Sequence, residues 1–347
     1  MWFRIARVAS VLYAQAMAVP QEVIDALSAA GRPVVIGHIN PDIDAMGAML
    51  GLSRALPGEA AVTFGNRPLG PRPAAMLRWA DCRPADAQRV RQADLAVVVD
   101  TANVGRINVQ GGWETLADLR VINIDHHVSN ERFGRHNWVE PGTSSTCELI
   151  CRLIIAAGWP LDPTTATLLY AGIHADTCGF SLPTSAEAFE AAVALVRAGA
   201  KPAAVGQSLW RSQRPQEFAL LRTVYQNTRT TPDGGIAYSS LSLAEIEAAG
   251  CTPADVDDQV AIPRSLAGIR MAALLSEAEP GVVRINLRGE EGTPVLPLAA
   301  QLGGGGHPYS AGVRMRGPLT EVVERFLGHA TEYLHSRPGE HGKGATP

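Results

Sequence analysis

The chain has 347 residues and a mass of 36.7 kDa, room for two domains of ordinary size. With 46% hydrophobic and 18% charged residues it carries enough apolar material for sizeable cores, which excludes a wholly disordered chain. The net charge is −4, and from Thr231 onward nine basic residues face fourteen acidic ones, so a long nucleic-acid track held by counterion release is excluded while small anions are not.

The first sixteen residues contain Arg4 and Arg7 before a short apolar run, with Ala14-Gln15-Ala16 resembling a cleavage site. The run is far shorter than the roughly twenty residues of a membrane span. Met17 is read as the natural start, because an ordered helix–strand pattern begins at Pro20. Five cysteines, at 82, 147, 151, 178 and 251, form no C-x-x-C pair, and their odd number and wide spacing exclude a disulfide framework. They read as reduced thiols of a cytoplasmic protein, with no membrane association.

The pattern then predicts a strand at Val34–Gly37, a helix at Asp44–Leu56 and a strand at Ala61–Phe64. The apolar run Leu95–Val99 leads into Asp100, and Val121–Ile124 leads into Asp125. Helices are expected at Ser145–Ala157 and at Pro163–Ala175, the second with Asp162 as its cap. Strands alternating with helices give an α/β fold with a parallel sheet, whose ligands sit beyond the carboxyl ends of the strands. A further helix at Pro215–Tyr225 closes a first domain, residues 17–227. Residues 228–235 are polar and glycine-rich and read as a linker. A smaller α/β domain with a mixed sheet occupies residues 236–338, with strands at Ile236–Leu241, Ile269–Leu275 and Val282–Leu287. The tail after about Gly339 is expected to fray.

The residues able to bind a cation gather at predicted strand and helix ends. His38, Asp42, Asp44, Asp100, His126, Asp176 and His127 are too many for one metal ion, but suit two that share a carboxylate. Oxygen and imidazole donors without thiolate favour manganese or magnesium over structural zinc; manganese is the first expectation, and cobalt is an alternative. Singly, each has a structural explanation: Asp100 as a turn residue, Asp125 as the partner of a neighbouring imidazole, Asp176 as a loop cap. Their joint placement at the mouth of one sheet is not explained by capping. Thr143–Thr146 reads as a helix cap, and Gly303, Gly304, Gly305 and Gly306 let backbone amides approach an anion.

These residues resemble the DHH phosphoesterases. His38-x-Asn-Pro-Asp42-x-Asp44, Asp100, Asp125-His126-His127 and Gly172-x-x-x-Asp176-Thr177 match four ordered motifs. Gly303–Gly306-His307-Pro308 and the strand bearing Arg288 resemble the associated C-terminal domain. Cys178 and Gly289 depart from the usual pattern. The resemblance implies an active site in a cleft between the two domains. It implies one divalent cation on His38, Asp42 and Asp100, and another on Asp44, Asp100, His126 and Asp176. His127 would face the scissile phosphate, Asp125 would fix an imidazole, and Arg288, Gly303–Gly306 and His307 would hold a terminal phosphate.

Within the family, the two-domain layout resembles the NrnA-like branch. This implies a homodimeric manganese phosphodiesterase of short RNA or DNA oligonucleotides and of linear and cyclic dinucleotides such as pApA and cyclic di-AMP, acting also on 3′-phosphoadenosine 5′-phosphate. The acidic charge and the nineteen aromatic residues, too few for a stacking track, agree with short substrates. A pyrophosphatase-like phosphomonoesterase and an inactive nucleotide-binding regulator are the competing expectations.

Overall fold

The computed structural model describes residues 19–65, 69–182, 184–210, 214–290 and 292–336. The reading of Met17 as the start and of a frayed tail after Gly339 both lie outside the described residues. The chain divides into two compact units, residues 1–212 and 213–347.

In the first unit, α1 (Gln21–Ala29) leads into β1 (Pro33–Ile36), α2 (Ile43–Ala55) and β2 (Ala61–Thr63). Two short helices follow, α3 (Pro71–Ala80) and α4 (Ala87–Arg91), then β3 (Leu95–Val99), β4 (Arg120–Asp125) and β5 (His136–Val139). Four helices complete the unit: α5 (Thr146–Ala157), α6 (Pro163–Asp176), α7 (Ala186–Arg197) and α8 (Pro202–Trp210). All five strands are parallel, in the order β2-β1-β3-β4-β5. Every residue of β1 and β3 is buried, because both faces of the sheet are covered. Such strands read as continuous apolar runs rather than alternating ones. The order reverses between β1 and β3, and at such a switch point the carboxyl ends of the strands frame a crevice.

The second unit begins with α9 (Pro215–Asn227), β6 (Arg229–Thr230), β7 (Ile236–Leu241), α10 (Leu243–Ala248) and α11 (Ala261–Arg264). It continues with β8 (Met271–Glu279), β9 (Val282–Gly289), α12 (Leu296–Gln301), β10 (Gly305–His307), β11 (Ser310–Arg316) and α13 (Leu319–Ser336). Its mixed sheet runs β10-β11-β9-β8-β7-β6, parallel only between β7 and β8. Val322, Phe326, Ala330 and Leu334, spaced four apart on α13, pack on Ile285, Leu287 and Ala273.

The domain boundary differs from the sequence expectation. Leu220 and Val224 of α9 are buried with Leu241, Ile246 and Leu274, so this helix belongs to the second unit. The expected linker at 228–235 is instead strand β6 and a turn. There the Thr231 amide donates to the Ile236 carbonyl at 2.9 Å, and Asn227 Nδ2 donates to the Ser240 carbonyl at 2.9 Å.

Candidate active site

Three adjacent parallel strands, β1, β3 and β4, deliver His38, Asp100 and Asp125–His127 to the carboxyl end of the first sheet. Asn40 and Asp100 both take positive φ, 56° and 51°. Residues other than glycine adopt that region only where surrounding structure holds them there. The Asp100 amide is held by the Ile124 carbonyl at 3.0 Å, and the His38 backbone pairs with Ile107 in an isolated antiparallel bridge.

The two oxygens of Asp100 face different groups. Oδ2 lies 3.6 Å from His38 Nε2, which is itself 3.8 Å from Asp42. Oδ1 lies 3.6 Å from His126 Nε2, which is 3.4 Å from Asp176. Donor atoms of His38, Asp42 and Asp100 lie within 4.8 Å of one another, and so do those of Asp44, His126 and Asp176. A third such group, Asp100 with His126 and His127, lies between them.

Supporting contacts orient these side chains. His38 Nδ1 is 2.9 Å from the Ile39 carbonyl and 3.2 Å from Arg106, while His126 Nδ1 is 3.3 Å from the Thr143 carbonyl. A proton shared between Nδ1 and either carbonyl turns Nε2 toward the carboxylates, which is how imidazole ligands are usually set. Asp42 caps α2, accepting from the Ala45 amide at 3.0 Å. Asp44 is fully buried and accepts from the Thr146 and Cys147 amides of α5, at 2.7 and 3.0 Å. The Thr146 hydroxyl donates to Asp100 Oδ1 at 3.0 Å. Ser145 is the cap of α5, as expected, and the two amides next to it serve the acidic cluster.

The helices close tightly around Asp44. A Cβ on Gly172 would collide with Cys147 Sγ and lie 2.6 Å from Asp44 Oδ1, so only glycine lets α6 approach α2 and α5 here. His127 Nδ1 is 2.6 Å from Asp125 Oδ1, and Asn130 Nδ2 donates to Asp125 Oδ2 at 2.6 Å. Asn130 Nδ2 also lies 2.8 Å from Asn123 Oδ1. Sequence reasoning read Thr146 only as part of a helix cap, and it missed Asn123 and Asn130. The signal for Asn130 was its place three residues after His127, where a turn returns the chain toward the strand.

The electrostatics follow from crowding Asp42, Asp44, Asp100, Asp125 and Asp176 in one mouth. Burial, then the charge of Asp100, pushes Asp44 up to about 7, and burial with Asp44, Asp42 and Asp100 raises Asp176 well above the carboxylate range. Burial alone would lower His38, but hydrogen bonding and charge from Asp100 and Asp42 outweigh it and raise the imidazole to about 10. His127 is also raised: burial opposes its charge, and Asp125 and Asp100 overcome it. Asp100, despite burial, is held far below the usual range by His38, His127 and His126. Protons or divalent cations can neutralise such a mouth, and an oxygen–imidazole donor set with oriented Nε2 atoms fits divalent cations.

The second unit carries the other expected residues. Arg288 sits on β9 opposite Ser310 and Ala272, and its Nη1 donates to the Leu287 carbonyl at 2.9 Å. The glycine run is not a simple loop. The Gly303 and Gly304 amides donate to Ala300 and Ala299 at 3.0 and 2.7 Å, which caps α12 and leaves those two amides engaged. Gly305, Gly306 and His307 form the edge strand β10, where a Cβ on Gly304 or Gly306 would strike the β11 backbone. Gly289 is explained similarly, since a side chain there would strike the Thr293 carbonyl.

Residues 32–173 match the DHH family, N-terminal domain. The chain is 30% identical over 320 residues to the bifunctional oligoribonuclease and PAP phosphatase NrnA of Thermus thermophilus, covering 90% of this chain and 93% of that protein. It is 26% identical to the cyclic-di-AMP phosphodiesterase GdpP of Geobacillus thermodenitrificans, over 91% of this chain and 48% of that protein. An exopolyphosphatase-related protein from Bacteroides fragilis has a similar structure, with a TM-score of 0.82 at 25% identity, over 91% of this chain and 97% of that one. Among the described residues no helix is long and apolar enough to cross a membrane.

Proposed function

This chain belongs to the DHH family of metal-dependent phosphoesterases, in its NrnA-like branch, and from that premise we propose that it hydrolyses short oligoribonucleotides and linear or cyclic dinucleotides to mononucleotides. The observation that carries the reading is Asp100, whose two oxygens each face a separate imidazole–carboxylate group. His38, Asp42 and Asp100 would hold one divalent cation, and Asp44, Asp100, His126 and Asp176 the other, with manganese the favoured metal. When bound, such a pair supplies Lewis acidity at a phosphoryl oxygen and an acidified water.

The remaining roles belong to the chain's own side chains. Asp125, itself held by Asn130, keeps a proton on His127 Nδ1 and so sets which nitrogen is turned to the substrate. With Nδ1 held by Asp125, a proton on Nε2 of His127 would donate to the phosphate as negative charge develops there. Arg288, with Gly305, Gly306 and His307, would bind a terminal phosphate, while Gly303 and Gly304 shape the turn that presents them.

One assay tests this. The full chain with manganese is offered 5′-phosphorylated RNA of two to twenty nucleotides, cyclic di-AMP, 3′-phosphoadenosine 5′-phosphate and pyrophosphate. The expected result is fastest turnover of the shortest oligonucleotides and dinucleotides. Turnover of pyrophosphate alone would make it a pyrophosphatase-like enzyme, and turnover of nothing would make it a nucleotide-binding regulator. Either outcome overturns the proposal.

A further inference from the structure

On β9, Val283, Ile285 and Leu287 are fully buried on the α13 side, so Arg284, Asn286 and Arg288 lie on the opposite face. That face is divided. Its β7–β8 half is apolar and covered, with Leu241 and Leu274 packed against Leu220 and Val224. Its β9–β11 half bears four arginines, Arg284, Arg288, Arg314 and Arg316, within a stretch of chain that is acidic overall.

The register concentrates this charge. Arg314 stands directly opposite Arg284, and Ser276 stands opposite Arg284 on its other side. Arg284, Arg314 and Ser276, with Pro253, Ala254 and Glu279, line a concavity of about 280 Å³. Like charges directly opposite on neighbouring strands repel, whatever hydrogen bonds each guanidinium makes besides. A phosphate between them replaces that repulsion with charge-assisted bonds. Glu279 leaves an excess of one positive charge among these residues, which suits the single charge of a phosphodiester better than a polyanion. Four residues of an antiparallel strand advance about 13 Å, so Arg284 lies close to two nucleotide steps from Arg288.

We propose that Arg284 and Arg314 form a second phosphate subsite, which takes a backbone phosphodiester of an oligonucleotide whose terminal phosphate is held at Arg288. The inference rests on the reading of Arg288 as a phosphate anchor. A dinucleotide is too short to reach both positions, whereas chains of three or more nucleotides reach both. The subsite therefore makes longer substrates bind better without helping the shortest.

The test compares the wild-type full chain with the Arg284→Ala/Arg314→Ala double variant on 5′-phosphorylated RNA of two and five nucleotides. With manganese, the double variant should raise KM for the pentamer about tenfold and leave the dinucleotide within twofold, a change of about one charge-assisted contact. The salt dependence of pentamer binding, measured by fluorescence anisotropy in EDTA, should lose about 0.7 from its slope, the value of one single-strand phosphate. The Arg284→Lys/Arg314→Lys variant should retain most of the pentamer affinity. Equal loss on both lengths, or unchanged pentamer binding in EDTA, overturns the subsite. Should the wild type cleave no oligonucleotide, the proposed activity fails, and the anisotropy measurement still decides the subsite.

Discussion

The mouth of the first sheet and the arginine face of the second are both charged, yet they are built in opposite ways. In the first, Asp44 and Asp100 are almost fully buried, and each accepts from named groups of α5. In the second, Arg314 is exposed and Arg284 and Arg288 are half-buried, set on one face by strand alternation. Buried charges are costly unless compensated, so the first region is committed to a compensating cation or proton. The second sits in water, where its attraction to phosphate is tunable by salt. The difference separates chemistry from grip: one region should respond to single atoms, the other to ionic strength.

The sharpest way to break the comparison is Asp100→Asn. It keeps the shape but removes the charge that faces both groups, so turnover should fall by at least about a thousandfold. Near-normal turnover would contradict the shared carboxylate. Asn130→Ala acts one step further out, taking a donor from Asp125. A loss of about 10- to 100-fold in kcat with cation content unchanged is expected, the size typical of groups that orient a ligand or base. Arg288→Ala, on the other face, should weaken substrates with a 5′-phosphate by about tenfold or more, leaving 5′-hydroxyl substrates and cation content unaffected. Equal losses on the two kinds of end would refute the anchoring role.

Smaller effects concern stability. Gly172→Ala forces a methyl against Cys147 and Asp44 and should cost about 1–3 kcal/mol, read as a lower Tm. An unchanged Tm would show that the helices can part there. The pH dependence has a definite sign. His38 is raised from 6.5 to about 10, so the stability its protonated form contributes is complete below pH 6.5 and lost as pH climbs through 10. Asp44, raised from 3.8 to about 7, loses its contribution over that lower range. Chelator-treated protein should therefore melt at lower temperature as pH rises from 7 to 10, and divalent cations should flatten that slope. Cation binding at pH 8 should also release a proton from His38, visible by calorimetry in buffers of different ionisation enthalpy. A flat profile in EDTA, or no proton release, would contradict the assigned charges.

Much of this was legible in the sequence. The runs before Asp100 and Asp125 could be read as buried parallel strands because both faces of the first sheet are covered. The cation-binding side chains could be listed because each follows such a run or caps a helix. What the sequence hid depends on tertiary pairing. The amides of Thr146 and Cys147 serve Asp44 about a hundred residues away, which no local pattern records. Gly303 and Gly304 looked like a phosphate cradle, but their amides cap α12. Helix α9 read as the end of the first domain because its apolar spacing is visible while its partners, Leu241 and Leu274, are strand residues further along. Arg284 and Arg314 lie thirty residues apart and become neighbours only through the β9–β11 register.

The central claim is that Asp100 joins two cation sites, and anomalous diffraction from manganese-soaked crystals of the full chain tests it most directly. The account predicts two peaks, one beside each Asp100 oxygen, and disruption of both in Asp100→Asn. A single peak, or none among these side chains, would contradict it.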